Sequence, residues 1–150
     1  MALNPETLTN AMASHAAALG VFDMVNLHEP KSAPGNHITC AIWVQDMVPA
    51  SSGLAATSFR ITFNVRIYSP MLQEPQDAID PEVLNAVDLL LTDYIGNFTL
   101  GGLLREVDIR GIDGNPLRVD AGYLTQDGRT YRVMTISLPV VINDLYTEAP

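Results

Sequence analysis

Residues 57–69 read TSFRITFNVRIYS, and apolar and polar side chains alternate along the whole stretch. Phe59, Ile61, Phe63, Val65 and Ile67 share one face of an extended chain. A period of two kept this long predicts a half-buried β-strand. Five large apolar groups on one face require a covering layer. We therefore predict that this strand is the central strand of an antiparallel sheet.

The sequence before this strand predicts a hairpin with a small-residue tip. Residues 38–49 alternate in the same way and form a second long strand, and residues 21–28 form a shorter one. The connection, residues 50–56 (ASSGLAA), is small and uncharged. Such a tip is either a mobile arm that makes contacts or a plain connector.

Two helices are predicted on either side of these strands. Asn4 is a candidate N-cap before Pro5, and Gly20 is a candidate C-terminal glycine. The second helix starts with Asp80 as its predicted cap and ends at Gly96. A wide apolar stripe on this second helix is predicted to cover the sheet: Val83, Leu84, Val87, Leu90, Leu91, Tyr94 and Ile95.

The remaining chain predicts three more strands. Residues 104–109 form one strand, and a turn follows at residues 113–116. Residues 119–125 and 130–142 flank Asp-Gly, a strong hairpin signal, and Pro139 places the end of the last strand at a sheet edge or a bulge. The expected fold is a single α+β domain over residues 1–150, mainly an antiparallel sheet with two helices packed on one face.

Composition narrows the function classes. The chain has 150 residues, and its single cysteine, Cys40, excludes an internal disulfide. We expect no signal peptide and no membrane span, because no apolar run approaches the roughly 20 residues required. There are 17 acidic against 8 basic residues, and the net charge is −9. Such a chain is not expected to bind the phosphates of nucleic acid over a wide surface. The excess of acidic residues either keeps the protein soluble or allows nucleic acid to pass by without binding.

The sequence gives only weak signals for a metal site or a catalytic site. His28, His37 and Cys40 could approach a metal, but they lack a fourth soft ligand, so we predict no zinc site. Cys40 alternates with Ile38 and Ile42 and is therefore expected in the core instead of acting as a nucleophile. We predict no enzyme, no catalytic residue, no metal and no cofactor.

The candidate interaction residues lie on the central strand and at the hairpin tip. Arg60 and Arg66 project from the same polar face, and they are either solvated or paired with acids of a neighbouring subunit. The tip residues in this predicted protein-interaction set are Ser51, Ser52, Gly53 and Leu54.

Three segments carry a resemblance to a known family: SFRITFNVRIY after the small-residue loop that follows VQDMVPASSGL, the helix start DPEVLNAVDLLL, and the hairpin GYLTQDGRTYRVMTISLPVVIND. In apolar spacing and glycine placement the chain resembles the tail-terminator proteins of long-tailed, siphovirus-type bacteriophages. The resemblance implies a structural virion protein that forms a ring, usually of six copies, on the head-proximal end of the tail tube. It also implies that tube polymerisation stops there.

The expected partners follow from this resemblance. They are further copies of the chain, the tail tube protein and a head-completion or connector protein, while DNA passes through the lumen without specific binding. The expected location is the head–tail junction of the virion, after assembly in the host cytoplasm. Two other classes stay open: a head–tail connector or stopper protein, and a small-ligand binding module.

Overall fold

A computed structural model of the chain describes residues 4–29, 37–50, 56–71, 79–96, 98–112 and 114–147. The elements in chain order are α1 (Pro5–Ala18), β1 (Met24–Asn26), β2 (Thr39–Ala50), β3 (Ala56–Pro70), α2 (Ile79–Ile95), β4 (Glu106–Val107), β5 (Arg118–Gln126) and β6 (Arg129–Thr147). The predicted order of one helix, three strands, one helix and three strands is confirmed.

The sheet is centred on β3. This strand pairs antiparallel with β2 on one side and with β6 on the other, as predicted. β1 adds a short parallel pairing to the start of β2, and β5 and β4 share the far edge of β6. The sheet is therefore mainly antiparallel.

Both helices bury one stripe against the same face of the sheet. Leu8 and Met12 of α1 and Leu90 of α2 join a single core with Ile61 and Phe63 of β3. This arrangement confirms the α+β fold with two helices on one face. The opposite face of β3 carries Arg60, Thr62 and Arg66.

The caps of α1 follow the sequence prediction. The backbone N–H of Thr7 donates to Asn4 Oδ1 at 3.2 Å, and Pro5 begins the helix. Gly20 takes a φ of +73°, the left-handed conformation that ends a helix at low cost.

α2 differs from the prediction in two respects. The helix begins at Ile79, so Asp80 lies in its first turn instead of capping it, and accepts a hydrogen bond from Arg132 Nε at 2.9 Å. Leu84 and Ile95 are 57% and 53% exposed, so the buried stripe is narrower than predicted. The hydrophobic pattern of the helix alone could not show how many of its apolar residues are buried. That number depends on the width of the sheet beneath the helix, which is set by the tertiary structure.

The prediction that the end of the last strand lies at a sheet edge or a bulge holds in its second form, because the register of β6 with β3 shifts between the pairs Tyr146–Thr57 and Ile142–Phe59. Pro139 itself lies inside the sheet. It faces Thr62 of β3, at the point where the outer neighbour of β6 changes from β5 to β4. Its carbonyl accepts the N–H of Asp108 at 2.9 Å. A proline fits within this interior strand because the change of neighbour interrupts the regular ladder there.

Candidate protein-interaction surface

Arg60 is buried, contrary to the prediction that it meets solvent or a partner. Only 3% of its side chain is exposed. Its Nε donates to Asp108 Oδ2 at 3.0 Å, and its Nη1 donates to Thr62 Oγ1 at 3.1 Å. The acid that pairs with Arg60 thus belongs to the same chain, because the loop that follows β4 folds back over this face of the sheet.

Asp108 organises that loop. Its Oδ1 accepts the backbone N–H of Ile112 at 2.8 Å, and its carbonyl accepts the N–H of Gly111 at 3.2 Å. One buried carboxylate therefore holds both the guanidinium beneath the loop and the backbone of its turn. Charge-assisted hydrogen bonds of this kind are stronger than neutral ones.

Two glycines allow the loop to close this tightly. Gly111 has a φ of +72°, and a Cβ added there would lie 2.5 Å from the carbonyl oxygen of Gly114. A Cβ on Gly114 would lie 2.8 Å from Arg60 Nη1. The loop backbone thus packs against the guanidinium at distances that exclude side chains.

The loop presents an apolar side chain to solvent. Ile112 is 82% exposed, the highest value among the exposed large hydrophobic residues of the described chain, and Ile109 is 37% exposed. Arg110 between them is also exposed. We name residues 109–112 the loop tip. Because its backbone is fixed from within, ordering it on binding a partner costs little entropy, as expected for an interaction anchor.

Arg66 stays at the surface, where it is half-buried. Its Nε donates to Thr135 Oγ1 at 2.8 Å, and its guanidinium lies 5.1 Å from the ring centroid of Trp43. Burial raises the pKa of the neighbouring Tyr68, while the positive charge of Arg66 opposes that rise. The interface role proposed for Arg66 stays a prediction.

The β2–β3 hairpin exposes apolar side chains on the face that the helices cover elsewhere. A bulge between Val44 and Asp46 shifts the register, so Val44 pairs with Phe63 and Met47 pairs with Ile61. Val44 and Met47 are nevertheless 47% and 40% exposed. The helices thus leave this end of β2 uncovered. The predicted contact residues Ser51, Ser52, Gly53 and Leu54 lie outside the described residues.

The described residues include a buried cysteine and a cleft that could take part in ligand binding or catalysis. Cys40 is fully buried, as predicted, and burial raises the pKa of its thiol to about 12. Within the ranges described above, no three potential metal ligands cluster, and no helix is long and apolar enough to span a membrane. A cleft of about 1060 Å³ lies among Phe22, Asp23, Glu82 and Arg129.

Sequence reasoning missed Asp108 and Ile112 and assigned a turn only to residues 113–116. A local signal for Asp108 was present, since aspartate followed three residues later by glycine is typical of a type I turn. No local signal shows that this aspartate meets Arg60, because the two residues are 48 positions apart.

Comparison with known proteins adds no assignment. The sequence matches no protein-family model, and no curated protein is significantly similar to it.

Proposed function

We propose that the chain is a tail-terminator protein of a long-tailed bacteriophage. It forms a ring on the head-proximal end of the tail tube, stops polymerisation and offers a docking surface to the head. The segments of the sequence that resemble this family support the proposal. An α+β domain with a long central hairpin is compatible with it.

The observation that carries the proposal is the uncovered end of the β2–β3 hairpin. Val44 and Met47 project from a sheet face that is otherwise covered by helices, and β1 pairs with β2 only at Thr39–Ala41. Apolar side chains left exposed together on a sheet face are typical of a protein-binding surface. We assign this surface to contacts with the tube or with a neighbouring copy.

The charge distribution supports a channel that lets DNA pass. Arg60, Arg105, Arg118 and Arg132 form ion pairs with acids of the same chain, and the net charge is −9. Cations already paired in this way are poor ligands for phosphates, and the excess of acid repels them.

A tube-elongation assay tests the proposal. Tail tube protein of the same phage polymerises in the presence of the wild-type chain, and the tubes are expected to stop growing. Val44→Ser combined with Met47→Ser should fold normally and lose this arrest. Leu103→Ser, at a residue 38% exposed elsewhere on the surface, should keep it. Unrestricted tube growth with the wild-type chain would contradict the proposal.

Arg66 provides a second test within the same assay. Reversing its charge in Arg66→Glu removes the donor to Thr135 and the cation over Trp43, both at the surface. We expect an unchanged circular dichroism spectrum and weakened arrest of tube growth. Normal arrest would remove Arg66 from the interface.

The cleft favours one alternative function, a small-ligand binding module. It carries Asp23, Glu82 and Arg129 beside apolar groups, and concave sites with a few polar groups commonly bind ligands. A thermal-shift screen with metabolites tests this alternative, because a specific ligand raises the melting temperature. A strong hit together with unrestricted tube growth would favour the alternative.

A further inference from the structure

We propose that the loop tip of one copy docks on an exposed stripe of α2 in the next copy. This stripe, here the α2 side stripe, consists of Leu84, Asp88, Leu91 and Ile95. The contact rests on the proposed function in so far as it names the interface that would close the ring.

The loop tip has the features of a segment that inserts into a partner. Its most exposed residue, Ile112, stands on a backbone held by the buried Arg60–Asp108 pair, and Gly111 allows no other residue without a clash. The turn thus presents an isoleucine that is 82% exposed. Such an apolar side chain on a pre-organised backbone fits the pocket of a partner.

The α2 side stripe is a suitable acceptor. Its members recur at spacings of four, three and four residues, so they share one side of the helix, rotated roughly 120° from the buried stripe at 3.6 residues per turn. Leu84 and Ile95 are 57% and 53% exposed, and Leu91 is partly buried against the core. Leu84, Leu91 and Ile95 thus form an apolar strip against which one isoleucine side chain can pack.

The charges of the two surfaces are complementary. Arg110 lies two residues before Ile112, and Asp88 lies between Leu84 and Leu91 on the helix. Neither Arg110 nor Asp88 has an ion-pair partner among the described residues. With Ile112 packed against the apolar strip, Arg110 can reach Asp88 and fix the orientation of the contact.

The two surfaces lie on different sides of the subunit. The loop is anchored to Arg60 on one face of β3, whereas α2 covers Ile61 and Phe63 on the other face. A contact between unlike surfaces is heterologous, and repetition closes a ring when the rotation permits. Because the two surfaces face in different directions, a second copy of the chain can occupy the α2 side stripe.

Cysteine cross-linking tests the geometry. Leu84→Cys and Ile112→Cys are prepared as separate full-length variants, assembled with tail tubes, and treated with a short bismaleimide. A mixture of the two should yield covalent dimers, and each variant alone should not. Tyr123→Cys, at a residue 64% exposed on β5, replaces Leu84→Cys as the control and should give none. The buried Cys40 stays out of the reaction.

A charge exchange tests the energetics. Arg110→Glu and Asp88→Arg should each weaken assembly about tenfold or more, measured by sedimentation velocity and by ring counts on tubes, and the double variant should restore it. Rings that form normally in every variant, with no cross-linking between positions 84 and 112, would overturn this contact while leaving the proposed function intact. A wild-type chain that forms no ring, even on tubes, would overturn both.

Discussion

The ion pair between Arg60 and Asp108 turns a polar face of the sheet into the base of a structured loop. Both side chains are 3% exposed. Arg60→Met leaves the Asp108 carboxylate buried without its cation, so we expect the free energy of unfolding to fall by about 3–5 kcal/mol in urea titrations.

The matched control for this substitution is Arg118→Met. Arg118 pairs with Asp120 at 2.7 Å, but the two side chains are 61% and 57% exposed. An exposed pair of this kind contributes less than about 1 kcal/mol. Equal effects of the two substitutions would show that burial of the Arg60 pair has no energetic consequence.

Glycine is required at position 111 for two reasons, a positive φ and a lack of space for a Cβ, and a comparison with Gly128 can separate them. Gly111→Ala and Gly128→Ala both place alanine at a positive φ, +72° and +74°, which costs roughly 1–2 kcal/mol. Only at Gly111 would the new Cβ also meet backbone, since nothing lies within 4 Å at Gly128. We expect Gly111→Ala to lose about 1–3 kcal/mol more in unfolding free energy than Gly128→Ala. Equal losses of unfolding free energy in the two variants would mean that the loop backbone moves to make room for the new Cβ.

Cys40 predicts a pH dependence at high pH. Burial raises its pKa from 9.0 to about 12, so above pH 9 the unfolded state releases a proton that the folded state keeps. The free energy of unfolding should therefore be unaffected by this group below pH 9 and fall above it by about 1.4 kcal/mol per pH unit. In Cys40→Ala the slope between pH 9 and 11 should be smaller by this amount. Parallel slopes would contradict the assignment.

At the scale of single elements, α2 contains two leucines with opposite roles. Leu90 is fully buried, whereas Leu84 is 57% exposed. We expect Leu90→Ala to reduce the free energy of unfolding by about 2–5 kcal/mol and Leu84→Ala by less than about 0.5 kcal/mol. If Leu84→Ala instead impairs assembly without affecting stability, the side stripe acts between molecules. A large stability loss at Leu84 would place it in the core.

Much of each element could be predicted from the sequence because its causes are local. The alternation in β3 and the cap at Asn4 depend on neighbours within a few residues. The burial of Arg60 could not be predicted, because its partner Asp108 arrives from a loop 48 positions later. The exposure of Leu84 was missed for a related reason, since the helix pattern does not reveal how wide the surface beneath it is.

The same distinction applies to the candidate site. Its predicted members on β3 are found on one face, as alternation requires, yet one is an internal support and only Arg66 is at the surface. The exposure of the loop tip was not predicted because it depends on contacts between residues far apart along the loop, such as the hydrogen bond from Leu117 N–H to the carbonyl of Ile109.

At the scale of the whole molecule, the features of the outer edge of β2 indicate that another protein would contact it through side chains. They do not favour a partner strand that pairs with β2 through backbone hydrogen bonds. The bulge beside Val44, the charge of Asp46 and Pro49 are features that protect strand edges from indiscriminate pairing. A ring built from such subunits needs defined contacts between unlike surfaces. The exposed residues Val44 and Met47 of the β2–β3 hairpin and the loop tip are two candidates for such contacts.

Negative-stain microscopy of the purified chain, mixed with tail tubes and separately with DNA-filled heads of the proposed phage, tests whether the protein is a terminator. We predict a ring-shaped cap on one end of each tube. Rings on filled heads with bare tube ends would instead identify a connector or stopper. Bare tube ends with no rings anywhere would contradict the proposed function.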